Sequence, residues 1–194
     1  MRRVSVSRRS LERALGPVLA GLAPGVVMDV GAKDGRYRPL VPSTEYLTLD
    51  IRPESGADIV GDVHDVPRGS DSLDTVLATE VLEHCYDPAQ AVREIHRILR
   101  PGGVCVLSTR FIHAYHPDPH DYFRFSRDGL ELLFRDFSRV ELTPLGNRLQ
   151  SIWMMLPGRP KPLSWFLGLF DPIVANTRSG ETRFPCGFLV RAVK

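Results

Sequence analysis

The stretch Val-Val-Met-Asp-Val-Gly-Ala-Lys-Asp-Gly at residues 26–35 decides the fold. A short apolar run ends in Asp29, and glycines follow at Gly31 and Gly35. A continuous apolar run is typical of a parallel strand that is buried on both faces. Glycine lets the backbone take a positive φ and lets a ligand approach the main chain closely. The stretch therefore predicts a buried parallel strand that runs into a ligand-binding turn.

The acid before the glycines separates this turn from those that bind dinucleotides. Dinucleotide sites carry the pattern G-x-G-x-x-G and hold a pyrophosphate on a helix N-terminus. A carboxylate at Asp29 would repel a pyrophosphate, whereas it would suit a cationic ligand with an ammonium and a sulfonium group. An NAD-dependent dehydrogenase is therefore a weaker alternative for this chain.

At this point the residues resemble motif I of the class I S-adenosylmethionine (SAM) methyltransferases, D/E-x-G-x-G-x-G, although Lys33 stands where the family has its middle glycine. Further segments resemble that family in the same order, so the resemblance covers residues from about 26 to 193. They are Asp62-Val63-His64-Asp65-Val66-Pro67, Leu82-Glu83-His84, Leu99-Arg100-Pro101-Gly102-Gly103 and His120-Asp121-Tyr122-Phe123-Arg124-Phe125-Ser126. The last segment is similar to one in a subgroup that acts on small molecules.

The resemblance implies a fold and a cofactor. The fold is a seven-stranded, doubly wound, Rossmann-like α/β sheet whose last strand is antiparallel to its neighbours, and the cofactor is SAM. We treat residues 1–194 as a single domain, since that length can bury a substantial core. Residues 1–9 are expected to be flexible, and residues 144–184 to form an apolar insertion or cap between the last two strands.

Acidic residues at the ends of predicted strands supply most of the expected cofactor site. Asp50 ends a strand over 45–50 and follows Asp29 by 21 residues, the spacing at which a doubly wound sheet meets a ribose. A merely solvated acid is the alternative for Asp50. By resemblance, Asp62 accepts the adenine amino group beside the backbone of Val63. The complete set of expected cofactor-binding residues is Asp29, Gly31, Gly35, Asp50, Asp62, Val63 and Glu80.

Residues 113–124, rich in histidine, tyrosine and proline, leave the carboxyl end of the predicted fifth strand, where open α/β sheets bind ligands. Three interpretations remain open. The loop could hold a metal through His113, His116, His120, Asp118 and Asp121, could form a substrate wall with a general base, or could close over SAM. The spacing matches no metal-ligand motif, so no metal is predicted. We assign His84, Tyr122 and Arg124 to the substrate and His116 or His120 as a base, while Glu83 and His84 could equally brace the loop.

Local signals predict the remaining elements. Ser10 should cap a helix over residues 11–22, and Asp87 should begin a second helix, with Gln90 completing a capping box. Further strands are expected over residues 58–63, 72–78, 104–108, 140–143 and 187–193, and Ser126 should cap a helix between the fifth and sixth strands. Apolar helical segments are expected over 147–156 and 163–169, with a proline-rich break between them.

Composition is ordinary for a soluble globular protein, with 43% hydrophobic and 25% charged residues. The net charge of +2 and the absence of a basic face in the sequence argue against a nucleic-acid partner. No apolar run is long enough to span a bilayer, although the insertion could touch a membrane surface. Cys85, Cys105 and Cys186 match neither a disulfide framework nor a zinc signature, so we expect a cytoplasmic protein.

These features together predict an enzyme, a SAM-dependent methyltransferase that moves a methyl group to a small-molecule acceptor. A hydroxyl oxygen is the expected acceptor atom, and in-line displacement the expected mechanism. A SAM-binding partner or regulator without catalysis is the alternative. The sequence indicates neither the identity of the acceptor nor the oligomeric state.

Overall fold

The computed structural model describes residues 5–32, 35–117, 119–155, 170–177 and 183–194. Its centre is a seven-stranded sheet in the order β3-β2-β1-β4-β5-β7-β6. The strands are β1 Gly25–Val30, β2 Ser43–Asp50, β3 Ile59–Val60, β4 Leu73–Thr79, β5 Leu99–Arg110, β6 Arg139–Leu145 and β7 Gly187–Val193. Strands β1 to β5 pair in parallel, whereas β7 runs antiparallel to both β5 and β6. The predicted fold class is confirmed.

Helices cover both faces of the sheet. The α-helices among the described residues are α1 Val6–Ala20, α2 Pro88–Ile98, α3 Arg127–Leu133, α4 Arg148–Met155 and α5 Asp171–Ala175. Neighbouring strand residues point to opposite faces, so Val27 joins the core under α1 while Met28 joins the core under α2 and α3. The apolar strand runs read from the sequence are continuous because both of these cores need side chains.

The first helix begins earlier than predicted. Its N-cap is Ser5, whose hydroxyl accepts a 3.2 Å hydrogen bond from the backbone N–H of Arg8. Ser10, the predicted cap, lies inside the helix and donates a 2.7 Å hydrogen bond to Oε1 of Gln150. Residues 6–9, which we expected to be flexible, therefore form the first turn of α1, and the helix ends at Ala20 instead of residue 22.

The second helix begins as predicted, with one difference at its cap. Asp87 accepts a 2.9 Å hydrogen bond from the backbone N–H of Gln90. The Gln90 side chain donates to the carbonyl of His64 at 3.2 Å and does not reach back to Asp87. The expected capping box is therefore replaced by a contact that ties α2 to the segment after β3.

Two strands differ in length from their predictions. Strand β3 has only two residues. At the preceding residue, the Asp58 side chain accepts hydrogen bonds from the backbone and hydroxyl of Thr48, at 2.9 and 2.8 Å, in place of a strand pairing. Strand β5 begins at Leu99 instead of residue 104, so it includes the predicted turn Pro101-Gly102-Gly103. Ser126 caps α3 as predicted.

The described part of the insertion packs on α1. Gln150 of α4 is fully buried and donates to the carbonyl of Val174 in α5 at 3.0 Å. Val6 of α1 packs against Val174 and Trp153. The predicted proline-rich break at 157–162 and the apolar segment at 163–169 lie outside the described residues. Of the helices that the structure describes, none is long and apolar enough to cross a membrane.

Candidate functional site

A cavity of about 590 Å³ opens at the carboxyl ends of the parallel strands. It lies where the strand order reverses, between β1 and β4, which is the ligand-binding position in open α/β sheets. Most of the residues predicted for the site line it together: Asp29, Gly31, Asp50, Asp62, Val63, Glu80, His84, His116, His120 and Tyr122. Gly35 and Arg124, two further predicted residues, are not among the described residues that line it.

In the glycine turn after β1, the backbone of Gly31 lines the cavity. This residue has a φ of +66°, and its N–H donates to the carbonyl of Leu49 at 2.7 Å. A β-carbon at this position would lie 2.6 Å from Cγ2 of Val81, so only glycine fits without rearrangement. Gly35 also has a positive φ, of +64°, but it faces Thr48 instead of the cavity. Its role in the structure is to shape the turn, and Lys33 lies outside the described residues.

Asp29 is buried at the end of β1 with one carboxylate oxygen held in place. Oδ2 accepts a 2.7 Å hydrogen bond from the hydroxyl of Tyr46, which lies on the neighbouring strand β2. Burial, followed by the nearby Asp29 carboxylate, raises the pKa of Tyr46 far above its usual value. The phenol therefore stays protonated and continues to donate to Asp29.

Asp50 and Asp62 occupy the ends of the next two strands. Asp50 is 3% exposed, and its Oδ1 accepts a 3.0 Å hydrogen bond from the backbone N–H of Arg52. Asp62 accepts from the backbone N–H of His64 at 2.9 Å. The His64 ring stacks on Tyr86, with 4.0 Å between the ring centroids. This stack lines the same cavity, and sequence reasoning did not assign Tyr86 to it.

Glu80 follows β4 in a conformation that is unusual for its residue type. Its φ is +59°, in the left-handed region that non-glycine residues seldom adopt. Two groups of Ser108 hold it: the carbonyl accepts from the Glu80 N–H at 2.9 Å, and the hydroxyl donates to Oε1 at 2.9 Å. The other carboxylate oxygen pairs with Nε of Arg110 at the end of β5. Backbone strain of this kind is concentrated at functional sites.

Glu83 braces the two loops that border the cavity. Its backbone carbonyl accepts from the N–H of Tyr122 at 2.9 Å, and its Oε2 accepts from the hydroxyl of Thr109 at 2.8 Å. Burial, followed by the nearby Glu80, raises the pKa of Glu83 to about 8. The neighbouring His84 donates from Nδ1 to the carbonyl of His120. The bracing role that we left open for Glu83 and His84 is thus present in the structure.

Asp121 and Arg124 fix the shape of the loop after β5. Arg124 forms a two-pronged contact with Asp121, at 2.5 and 2.6 Å, and also donates to the carbonyls of His113 and Ala114. These hydrogen bonds lower the pKa of Asp121 well below its usual value. Arg124 therefore braces the loop in this structure, and its assignment to the substrate stays a prediction.

Histidines in this loop differ in their surroundings. His116 lines the cavity, and its backbone N–H donates to Oδ2 of Asp121 at 2.9 Å. Burial lowers the pKa of His116, and burial together with Arg110 lowers that of His113 to about 4. His120 is exposed at the cavity edge, beside the ring of Tyr122. His116 and His120 thus stay candidates for proton transfer by position.

Sequence reasoning missed residues that reach the cavity from distant elements. Arg8 of α1 donates to the hydroxyl of Tyr37 at 3.2 Å, and both line the cavity. Neither residue belongs to a motif, so the sequence offered no signal for them. Arg110 could have been found from the sequence, because it lies just past the carboxyl end of the predicted fifth strand, where open α/β sheets bind ligands. In the structure, Ser108 of that strand pairs with Thr79, immediately before Glu80.

The chain is similar in sequence to known methyltransferases. Residues 28–107 match the family model of a methyltransferase domain. The chain is 32% identical over 125 residues to a malonyl-[acyl-carrier protein] O-methyltransferase of Methylococcus capsulatus, covering 52% of this chain and 45% of that protein. It is 29% identical over 107 residues to a ubiquinone biosynthesis O-methyltransferase of Pseudomonas paraeruginosa, covering 46% of each. The chain thus spans less than half the length of these curated relatives.

A solved structure agrees over nearly the whole chain. A SAM-dependent methyltransferase from Thermotoga maritima superimposes with a TM-score of 0.65 at 18% identity, covering 97% of this chain and 91% of that one. At this identity the likeness shows a shared fold.

Proposed function

We propose that this chain, a class I methyltransferase by its fold and by the family match over residues 28–107, transfers a methyl group from SAM to a hydroxyl oxygen of a small-molecule acceptor. The resemblance stated from the sequence is confirmed, and the matches indicate SAM as the cofactor. The activity of the whole protein, its acceptor and the assignment of individual residues are our proposals.

One observation carries the proposal: acids at the carboxyl ends of four different strands line a single cavity. They are Asp29, Asp50, Asp62 and Glu80. Arg52 lies beside Asp50 and Arg110 beside Glu80, so the positions of the acids support the proposal and their summed charge does not. Acceptors at the ends of successive strands suit a ligand with an ammonium, a sulfonium, two ribose hydroxyls and an adenine amino group. Gly31 supports the same ligand, since its bare backbone lets a ligand approach closely.

We assign the cofactor contacts by position. Asp29, oriented by Tyr46, would face the amino-acid end of SAM, and Asp50 would accept hydrogen bonds from the ribose hydroxyls. Asp62 and the backbone of Val63 would meet the adenine, close to the His64–Tyr86 stack. Glu80 closes the cavity from β4 and would lie near the methionine part.

The chemistry requires little from the protein beyond positioning. SAM supplies a methyl group on a sulfonium, which is already an activated leaving group. Holding the acceptor oxygen in line with that methyl group can lower the barrier by about 7–11 kcal/mol. A general base would contribute about 10²–10⁴-fold for a hydroxyl acceptor. His120 and His116 are the two candidates, because both line the cavity at the exit of β5.

The two curated relatives support oxygen as the acceptor atom, since both are named as O-methyltransferases. Their acceptors differ from each other, so the comparison favours no particular molecule. The three cysteines of this chain are free, buried thiols, which supports the proposed cytoplasmic location.

Calorimetric titration with SAM, S-adenosylhomocysteine and NAD tests the cofactor site. We expect micromolar binding of one or both SAM compounds, no binding of NAD, and loss of binding in Asp50→Ala. Asp136→Ala is the matched control, because that carboxylate is exposed and far along the chain from the site. Binding of SAM by Asp50→Ala with unchanged affinity would contradict the assigned site.

Turnover separates the enzyme from the alternative of a silent SAM-binding protein. Release of S-adenosylhomocysteine would be followed with a panel of hydroxylated small molecules. An enzyme yields that product with at least one acceptor class, and His120→Ala lowers its rate while leaving SAM affinity unchanged. A protein that binds SAM but never yields the product across a broad panel would be a binder.

A further inference from the structure

We infer that Glu83, His84 and His116 form a binding site for a divalent transition-metal ion at the wall of the cavity. Each of the three residues offers one ligand atom, and these atoms all lie within 4.8 Å of one another. Glu83 and His84 belong to the short 3-10 helix Leu82–His84 after β4, whereas His116 lies in the loop after β5. His116 follows the adjacent pair Glu83 and His84 by more than thirty positions, so the sequence spacing contains no metal motif.

The two imidazoles are oriented as metal ligands usually are. A histidine that binds a metal through one nitrogen almost always directs the other toward an oxygen, which fixes its tautomer and its ring. Nδ1 of His84 donates to the carbonyl of His120. Nδ1 of His116 points toward Oδ2 of Asp121 at 3.4 Å without forming a hydrogen bond, so its orientation is set by proximity to that carboxylate. The Nε2 atom of each ring is therefore the one available for an ion.

A second, independent observation comes from the carboxyl group. Glu83 is fully buried, yet its Oε1 has no hydrogen-bond partner among the described residues. The cationic nitrogens nearest to this atom are Nε of Arg110 at 3.9 Å and Nε2 of His116 at 4.0 Å, both beyond hydrogen-bond distance. Without an ion, Glu83 holds a proton at neutral pH, because its pKa is raised to about 8. A bound cation would replace that proton and give the buried oxygen the partner that it lacks.

The neighbouring guanidinium groups do not supply this cation, because each already has its own carboxylate. Arg110 pairs with Glu80, and Arg124 forms its two-pronged contact with Asp121. Glu83 is thus the carboxyl group in this cluster without a dedicated positive partner. A divalent ion bound by Glu83 and the two imidazoles would give this carboxyl group a positive partner and would leave one net positive charge for a ligand at the open position.

The donor set indicates the class of metal. Two imidazoles and one carboxylate suit zinc, iron or cobalt better than magnesium, calcium or manganese, which prefer oxygen ligands. Three protein ligands leave at least one coordination position open, as in catalytic metal sites. His84 and His116 line the cavity, so the open position would face the acceptor.

A role for the ion in methyl transfer rests on the proposed function. An ion in this position would bind the acceptor oxygen and lower the pKa of its hydroxyl group. The acceptor O–H bond then releases its proton to His120 or to water, and a new O–CH₃ bond forms. The S–CH₃ bond breaks with its electron pair kept by sulfur, so the sulfonium becomes a thioether and nothing is oxidised or reduced. His116 would serve as a ligand and not as the base.

Cobalt(II) is the probe that tests the site, because imidazole coordination gives Co²⁺ strong visible absorption. We expect one equivalent of Co²⁺ to bind the wild-type chain, and Zn²⁺ to displace it with loss of the visible bands. Affinity should fall by about tenfold or more in His84→Ala, His116→Ala and Glu83→Gln. His96→Ala is the control, since that ring lies on α2 against Phe137 and is outside the ligand set, and its Co²⁺ affinity should match the wild type.

SAM calorimetry on the same samples shows whether each variant is folded. If the wild type binds SAM but neither Co²⁺ nor Zn²⁺ at millimolar concentration, the metal site is wrong and the proposed function stands. If it binds Co²⁺ but not SAM, the proposed function fails and the site stands. Co²⁺ bands that persist unchanged in both His84→Ala and His116→Ala would also overturn the inference, even where Glu83→Gln does not fold.

Discussion

The hydroxyl of Tyr46 donates a 2.7 Å hydrogen bond to Oδ2 of Asp29, across the parallel pair of strands β2 and β1. Both residues are buried, and Asp29 is only 1% exposed. A buried carboxylate needs donors, and this one keeps its donor because the raised pKa of Tyr46 holds the phenol in its protonated form. The acid that would meet the amino-acid end of SAM is therefore positioned before any ligand arrives.

Tyr46→Phe tests this positioning. The variant keeps the ring and removes one donor from a buried carboxylate, so we expect the free energy of unfolding to fall by about 1–3 kcal/mol. SAM affinity should fall by about tenfold, because Asp29 loses its fixed orientation. Urea unfolding and calorimetric titration measure the two effects. Tyr115→Phe, at a residue 76% exposed, is the matched control and should change neither. Unchanged SAM affinity in a stable Tyr46→Phe protein would contradict the role of this hydrogen bond.

Alanine variants at two glycines with similar backbone angles can distinguish the cost of a strained backbone from the cost of a steric clash at the site. Gly31 and Gly56 have φ values of +66° and +75°, but a β-carbon would meet Val81 at 2.6 Å in the first case and nothing within 4 Å in the second. Each alanine variant should lose about 1–2 kcal/mol from the left-handed conformation. Gly31→Ala should lose more, and it should also lose SAM binding, whereas Gly56→Ala should bind SAM normally. Equal stability and equal SAM affinity in the two variants would show that the turn is not a close-approach site.

Removing the Asp121–Arg124 ion pair should open the loop after β5 locally and leave SAM binding intact. Arg124→Ala removes a partner from a nearly buried carboxylate, so we expect a cost of about 1–3 kcal/mol. Hydrogen exchange should accelerate at the amides of His116 and Tyr122, while SAM affinity changes by less than about twofold. Arg127→Ala is the control, because the pair Arg127–Glu131 is exposed and such pairs contribute about 0–1 kcal/mol. Unchanged exchange at both amides in Arg124→Ala would contradict this bracing role.

Most core strands could be predicted because each is an apolar run with a turn signal after it, whereas their arrangement in the sheet was implied by the resemblance to the methyltransferase family. The strand-end acids Asp29, Asp50 and Asp62 could be predicted for the same reason, since parallel strands bring their carboxyl ends to one edge. The start of α1 could not be predicted. The hydroxyl of Ser10 donates to Gln150, 140 residues away, so the residue that looked like the helix cap in the sequence instead links α1 to α4.

Residues of the candidate site could be predicted only where the sequence leaves a side chain one plausible interaction partner. Arg124 resembled a substrate contact in its motif, but its partner is Asp121 three residues earlier. Glu83 gave no sign of a metal site, because its partners His84 and His116 meet it only when the loops after β4 and β5 fold against each other. Short polar loops have several possible partners each, and only tertiary structure selects among them.

Glu94 gives a prediction for the pH dependence of stability. This buried side chain accepts from the backbone N–H of Val66 at 2.9 Å and from Arg97, and the Arg97 hydrogen bonds lower the pKa of Glu94 below 4.5. A carboxyl group whose pKa is lower in the folded state stabilises the fold above its unfolded pKa and loses that contribution as the pH falls through the folded pKa. At pH 7, Glu94→Gln should therefore reduce the free energy of unfolding by about 1–3 kcal/mol.

As the pH falls below the usual glutamate pKa of about 4.3 and toward the lower pKa of the folded state, this difference between the wild type and Glu94→Gln should shrink, because Glu94 then takes up a proton. Urea unfolding at a series of pH values measures it. Glu131→Gln is the matched control, since Glu131 is about half exposed and its difference from the wild type should stay small throughout. A Glu94→Gln difference that stays constant down to pH 3 would mean that the contribution is one of shape and hydrogen bonding alone. It would also mean that the charge of Glu94 does not hold the Val66 segment, and with it the Asp62 side of the cavity, against α2.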